Sequence, residues 1–70
     1  MSISRREAIE KIAAQRNAIR EHIEKYYNYP DPIDKNFALK TISRCQENIQ
    51  DIKNRCDCDL DYSYEDDWRP

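Results

Sequence analysis

Two series of apolar residues, separated by the sequence Tyr-Pro-Asp-Pro, constrain the fold of this chain more than any other feature. The first series contains one arginine and consists of Ile9, Ile12, Arg16, Ile19, Ile23 and Tyr26. The second series consists of Ala38, Ile42, Cys45, Ile49, Ile52 and Cys56. Alternating spacings of three and four residues place each series along one face of an α-helix. We therefore predict helices at about residues 4–27 and 32–56, joined by a loop at about 28–31.

The predicted helix boundaries rest on capping residues and prolines. Ser4 followed by Glu7 forms a capping box, which favours a helix start. Pro30 and Pro32 prevent one continuous helix, because proline lacks the backbone N–H that a helix interior requires. Asp31 is therefore predicted to cap the second helix, with Pro32 at its first position.

A short loop makes the two helices antiparallel neighbours. The apolar pairs expected across the hairpin are Ile9 with Ile52, Ile12 with Ile49, Ile19 with Ile42, and Ile23 with Ala38. Arg16 falls opposite Cys45. We interpret Arg16 either as a side chain that extends to solvent and fixes the register, or as the partner of an acidic group from the C-terminal segment or a second subunit. The predicted fold is a single all-α domain, residues 1–70: an antiparallel, coiled-coil-like two-helix hairpin with an ordered acidic C-terminal tail.

The composition excludes several other classes. The 70 residues contain no glycine, which disfavours tight β-hairpins and glycine-rich nucleotide-binding loops. No apolar run approaches the ~20 residues of a membrane span, and the N-terminus does not resemble a signal peptide. We therefore expect a cytoplasmic protein with reduced thiols. Three cysteines, an odd number, also argue against a disulfide framework.

The C-terminal segment, residues 57–70, is called the tail and differs from the rest of the chain. It carries six acidic residues and one arginine, whereas the preceding residues have a small basic excess. Four less polar residues recur at every second position, which predicts a partly extended chain with one apolar side: Cys58, Leu60, Tyr62 and Tyr64. In one interpretation Leu60 and the tail aromatics pack on the open side of the hairpin, and the carboxylates are drawn to Arg5, Arg6 and Arg55. In the other, the tail faces a partner.

The preferred function from sequence is that of a small non-enzymatic binding protein acting by stoichiometric occlusion. The partner would be a larger protein with a basic surface, such as a nucleic-acid-handling machine, and small phage-encoded antagonists of host defence are an analogous class. Carboxylates would steer association, and aromatic residues would anchor it. The predicted contact residues are Asp57, Asp59, Asp61, Tyr62, Tyr64, Glu65, Asp66, Asp67 and Trp68. The competing interpretation is a self-associating structural module, a possible homodimer or four-helix bundle, whose tail only completes its own core.

Other reactive residues do not converge on a site. His22 and the cysteines are metal-ligating types, but the hairpin register separates His22 from Cys56 by far more than zinc–ligand distances. We expect Cys45 and Cys56 to be small buried hydrophobes, and we expect no catalytic, cofactor or metal site. Direct nucleic-acid binding is disfavoured by the small basic excess. The aromatic residues around the loop, Tyr26, Tyr27, Tyr29 and Phe37, either close the end of the hairpin or form an exposed anchor for a partner.

Overall fold

The computed structural model describes residues 3–56 and 58–70, and it is a helical hairpin as predicted. Helix α1 spans Arg5–Asn28 and helix α2 spans Pro32–Arg55. The two helices pack against each other along their length. The tail contributes a short 3₁₀ turn at Tyr64–Asp66. The predicted helix bounds differ from the observed ones by a single residue at three of the four ends, and α2 begins at the predicted residue.

Both helices begin at the predicted caps. The Ser4 Oγ accepts a hydrogen bond from the Glu7 N–H at 3.1 Å, and the Asp31 Oδ1 accepts one from the Ile33 N–H at 2.8 Å. The chain leaves α1 through extended backbone at Tyr29. No described residue in 3–56 or 58–70 has a positive φ angle. A chain without glycine therefore forms this hairpin without backbone strain, because each helix ends by returning to the extended region.

The core lies between the helices and is thin. Its buried members are Ala8, Ile12, Ile19, Ala38, Ile42, Cys45, Ile49 and Cys56. The central cluster joins residues from the predicted layers of both helices. The predicted core position of Ile9 is wrong, because its side chain is 50% exposed while its neighbour Ala8 is fully buried.

The start of α1 lies close to the end of α2. The Ile3 N–H donates to the carbonyl of Arg55 at 3.3 Å, which holds the N-terminal segment against the end of α2. Ala8 is fully buried in the second turn of α1. Ile9 lies ~100° further round the helix and borders a small cavity beside Leu60 of the tail.

The tail returns along one side of the hairpin. Leu60 and Trp68 pack against the core cluster, so the tail docks on its own hairpin. Tyr62 and Tyr64 were also expected to pack there in this interpretation, but they are 65% and 55% exposed. The regular alternation fails first at Tyr62, whose hydroxyl donates to exposed Asp67. The chain then turns at Tyr64–Asp66 and buries Glu65 in place of Tyr64.

Within the described residues, neither helix is both long enough and apolar enough to cross a membrane.

Candidate functional site

The arginine in the first apolar series binds the tail. Arg16 donates from Nε to Asp66 Oδ1 at 2.9 Å and from Nη2 to Asp66 Oδ2 at 2.8 Å. Its Nη2 also donates to the carbonyl of Asp61 at 2.8 Å. This two-pronged geometry is the strongest form of arginine–carboxylate contact, and the hydrogen bond to Asp66 raises the pKa of Arg16. The interpretation of Arg16 as a solvent-directed side chain is therefore wrong, and pairing with an acidic group of the tail is confirmed.

Asp66 is the centre of the contact between tail and hairpin. Besides Arg16, it accepts from Lys53 Nζ at 3.0 Å and from the Ser63 N–H at 3.2 Å. Its side chain is only 10% exposed. Burial alone would raise the pKa of Asp66, but the hydrogen bonds from Arg16, Lys53 and Ser63 lower it from 3.8 to about 2. Asp66 is thus a permanently ionised anchor near neutral pH.

Glu65 is a second internal acid, and it is 1% exposed. Its carboxylate accepts from Arg20 Nη1 at 3.2 Å and from the Ser63 hydroxyl. Gln46 donates from Nε2 to the carbonyl oxygens of Glu65 and Trp68, at 3.1 and 2.9 Å. No buried side-chain nitrogen or oxygen of the described residues lacks a hydrogen-bond partner. The contact therefore avoids the cost of leaving a buried polar group without a hydrogen bond.

Trp68 fixes the far end of the tail. Its ring meets those of Tyr26 and Tyr27 edge to face, with centroids 5.9 and 6.3 Å apart. This arrangement is favourable for aromatic pairs. Tyr26 therefore closes the end of the hairpin, in accordance with the first interpretation of the loop aromatics. Tyr27 and Phe37 remain largely exposed, at 65% and 62%.

The outward side of the tail has a different composition. It presents three carboxylates and two phenols, from Asp59, Asp61, Tyr62, Tyr64 and Asp67. The Tyr62 hydroxyl donates to Asp67 Oδ1 at 2.6 Å, and this hydrogen bond raises the pKa of Tyr62. The structure therefore divides the predicted contact residues into an outward set and an inward set formed by Glu65, Asp66 and Trp68. Asp57 lies outside the described residues.

The cysteines differ from the sequence expectation. Cys56 and Cys58 form a disulfide, so the prediction of reduced thiols is wrong for this pair, and Cys56 is buried as half of a disulfide. Cys45 is a free, buried thiol whose pKa is raised by burial. An odd number of cysteines excludes complete pairing but allows one local pair. A bond between residues two positions apart needs no wider disulfide framework.

The remaining candidate ligands do not converge. The His22 Nδ1 lies 2.8 Å from the carbonyl of Ala18, one turn earlier in α1, and donates to it. Across residues 3–56 and 58–70, no group of three or more histidine, cysteine or acidic side chains has the geometry of a metal site.

Three of the residues that hold the tail were missed by the sequence reasoning, namely Arg20, Gln46 and Lys53. Two of the basic residues that were expected to attract it behave differently, because Arg6 pairs with Glu10 and Arg55 pairs with Asp51 within their own helices. The third, Arg5, borders the cavity that Asp59 and Asp61 of the tail also line. Arg16, a charge inside an apolar series, was the one signal in the sequence that pointed to the true contact.

No protein-family model, curated protein or solved structure matches this chain.

Proposed function

We propose that this protein is a small non-enzymatic binding protein that occludes a basic surface of a larger protein, with the outward side of the tail as its contact surface. The observation that supports this most directly is the exposure of Tyr62 and Tyr64 on a segment that is held in place by the ion pairs of two largely buried carboxylates. Tyrosine is among the residues most enriched at binding hot spots. A segment already fixed in position also loses little conformational freedom on binding.

The charges of the tail serve two purposes in this proposal. Glu65 and Asp66 are paired with the hairpin, so they hold the tail and do not contact the partner. Asp59, Asp61 and Asp67 are exposed and attract a basic surface before contact. Such attraction raises the rate of association and decreases as salt screens it.

The proposed partner is a nucleic-acid-handling protein, and the proposed effect is inhibition. A groove that binds phosphates presents clustered lysine and arginine, which also attract closely spaced carboxylates. Acids at every second residue of an extended chain are ~6.6 Å apart, compared with about 1.7 Å of axis per charge in duplex DNA. The tail therefore approximates a stretch of phosphate backbone only sparsely, and its exposed tyrosines must supply much of the affinity.

The test compares two variants of equal charge as baits for proteins in a nuclease-treated lysate of the source cells. One variant changes the tail surface by Asp59→Asn and Asp61→Asn. The control changes two exposed acids of α1 by Glu21→Gln and Glu24→Gln. We expect wild type and control to capture the same protein in a 1:1 complex, and the tail variant to lose it. Equal capture by both variants, or capture that is unchanged in high salt, would contradict the proposal.

The contacts of Glu65 and Trp68 with the hairpin also favour a second function, that of a structural module whose tail only completes its own core. Deletion of residues 59–70 separates the two. If the shortened chain keeps its helix content and thermal midpoint but loses the captured protein, the tail is the binding element. The tail is purely structural if two results are obtained together. The shortened chain must unfold, and the full chain with Asp59→Asn and Asp61→Asn must capture the same protein as wild type does.

A further inference from the structure

Helix α2 carries a second stripe of residues that is separate from its core face. Spacings of four and three residues alternate along it, as they do along the core series. Its members are Ile33, Phe37, Lys40, Arg44, Glu47 and Asp51, and all six are exposed. Because a repeat averaging 3.5 residues stays on one side of a helix, this stripe can contact another helix over several turns.

The hairpin and the tail both leave this stripe uncovered. With 3.6 residues per turn, the centre of the stripe lies about 140° from the core face of α2, and about 150° from the side where Gln46 and Lys53 hold the tail. Ile33 and Phe37 are 64% and 62% exposed, which is high for apolar residues. Among the aromatic and cationic groups of the described residues, only the Lys40 ammonium lies near the ring of Phe37, at 5.8 Å from its centroid.

The order of side chains along the stripe is self-complementary. Two apolar residues come first, two cations follow, and two carboxylates come last. A second copy of the same helix, running in the opposite direction, presents its carboxylates to the cations of the first. We propose that two copies of this chain associate through antiparallel packing of their α2 stripes.

In this arrangement Arg44 lies opposite the partner's Glu47, and Lys40 lies opposite the partner's Asp51. A two-fold axis passes between the helices near residues 45 and 46, so each contact occurs twice. The helices overlap over residues 36–55, a length of about 30 Å. Phe37 then lies opposite the partner's Asn54 and loses solvent exposure at both ends of the interface. A parallel arrangement in the same register places lysine against lysine and is repulsive, so charge sets the direction.

The interface is weak by its nature. Exposed ion pairs contribute little individually, and one helix pair buries less than the roughly 800 Å² per partner of a standard interface. Asp51 already pairs with Arg55 of its own helix at 3.1 Å, so part of its attraction is used within the chain. We expect a dissociation constant on the order of 100 µM at low salt, which is in the range of transient complexes.

Dimerisation is compatible with the proposed function and does not rest on it. The tail lies on a different side of the hairpin from the stripe, so both tails of the dimer stay accessible. A dimer would present two tail surfaces, and a partner with two matching basic surfaces would bind it more tightly through multivalency.

The experiment is sedimentation equilibrium on the full chain and on two charge variants. Lys40→Glu with Arg44→Glu makes the charged part of the stripe entirely acidic. Glu47→Lys with Asp51→Lys makes it entirely basic. We expect wild type to dimerise at about 1 mM in low salt and to dissociate in about 0.5 M salt. Each variant alone should be monomeric, because its facing residues then carry like charges. An equimolar mixture should form a 1:1 heterodimer at least ~10-fold tighter than the wild-type dimer, because the diagonal neighbours that are like-charged in wild type, Arg44 with Arg44 and Glu47 with Glu47, also become opposite in charge.

A control variant isolates the stripe from net charge. Glu21→Lys with Glu24→Lys on α1 changes the net charge as much as the basic variant does, and it should dimerise as wild type does. All substituted residues are exposed, so circular dichroism should show unchanged helix content. A monomeric wild type at ~1 mM, a mixture that does not associate, or assemblies larger than a dimer would each overturn the inference.

Discussion

Replacement of Asp66 by asparagine is expected to destabilise the docked tail more than any other single change to an acidic residue of the tail. The substitution keeps the size of the side chain but removes the charge that Arg16 and Lys53 share. Each change of one pKa unit corresponds to ~1.4 kcal/mol. The decrease from 3.8 to about 2 therefore indicates that ionised Asp66 stabilises the folded state by roughly 2 kcal/mol at neutral pH.

This contribution depends on pH in a defined direction. The folded-state pKa is lower than the unfolded-state value, so the stabilisation is complete above pH 3.8 and is lost as the pH falls through about 2. We expect roughly 2 kcal/mol at pH 7, about half of that at pH 3, and little at pH 2. At pH 7 the thermal midpoint of Asp66→Asn should be roughly 8–16 °C lower than that of wild type, since a chain of this size shifts by about 4–8 °C per kcal/mol.

Two signals report the outcome. Circular dichroism follows the helices, and fluorescence of Trp68, the only tryptophan, follows the docking of the tail against Tyr26 and Tyr27. The matched control is Asp67→Asn, because this neighbouring acid is exposed and its hydrogen bond is to Tyr62. The control should change stability by less than ~0.5 kcal/mol. Equal effects of the two substitutions, or a difference from wild type that stays constant between pH 7 and pH 3, would refute the assignment of Asp66 as the anchor.

Three further outcomes are expected. Ile19→Ala should cost about 2–5 kcal/mol in chemical denaturation because Ile19 is fully buried. Ile9→Ala, at a half-exposed site, should cost under ~1 kcal/mol; similar losses would contradict the position of Ile9 outside the core. Asp31→Ala should lower the free energy of unfolding by ~1 kcal/mol through loss of the α2 cap, and Asp34→Ala, in the first turn but without this bond, should cost less. Thiol titration of the denatured, unreduced chain should detect Cys45 alone, and three reactive thiols would contradict the disulfide.

The sequence predicts the hairpin well because each helix is marked by several agreeing signals. Apolar spacing, the capping serine and aspartate, and Pro32 all give the same boundaries. Ile9 and Ala8 show where this reasoning fails. Either residue can lie on the core face of α1, because the spacing allows a shift of one position. A spacing rule that favours larger apolar residues selects Ile9. The orientation of α1 against α2 decides which of the two is buried, and that orientation is a tertiary property which spacing does not contain.

The docked tail could be predicted only in outline. Its aromatics and acids indicate a segment that packs on something, and Arg16 indicates a polar contact inside the apolar series. The register of the tail on the hairpin depends on contacts between residues about 45 to 50 positions apart in sequence. An alternation rule fixes neighbouring side chains relative to one another, but it does not fix which carboxylate reaches which cation.

The three consecutive acids Glu65, Asp66 and Asp67 show why charge counting misjudges this tail. In an extended chain the middle one would face away from the other two, whereas the 3₁₀ turn at Tyr64–Asp66 spaces successive side chains by ~120°. Glu65 and Asp66 therefore both reach the hairpin, and Asp67 points outward. The inward acids are matched by Arg16, Arg20 and Lys53, so their field is largely cancelled at a distance. The attraction that a basic partner experiences thus comes from the outward carboxylates, which are three of the six acidic residues in the tail.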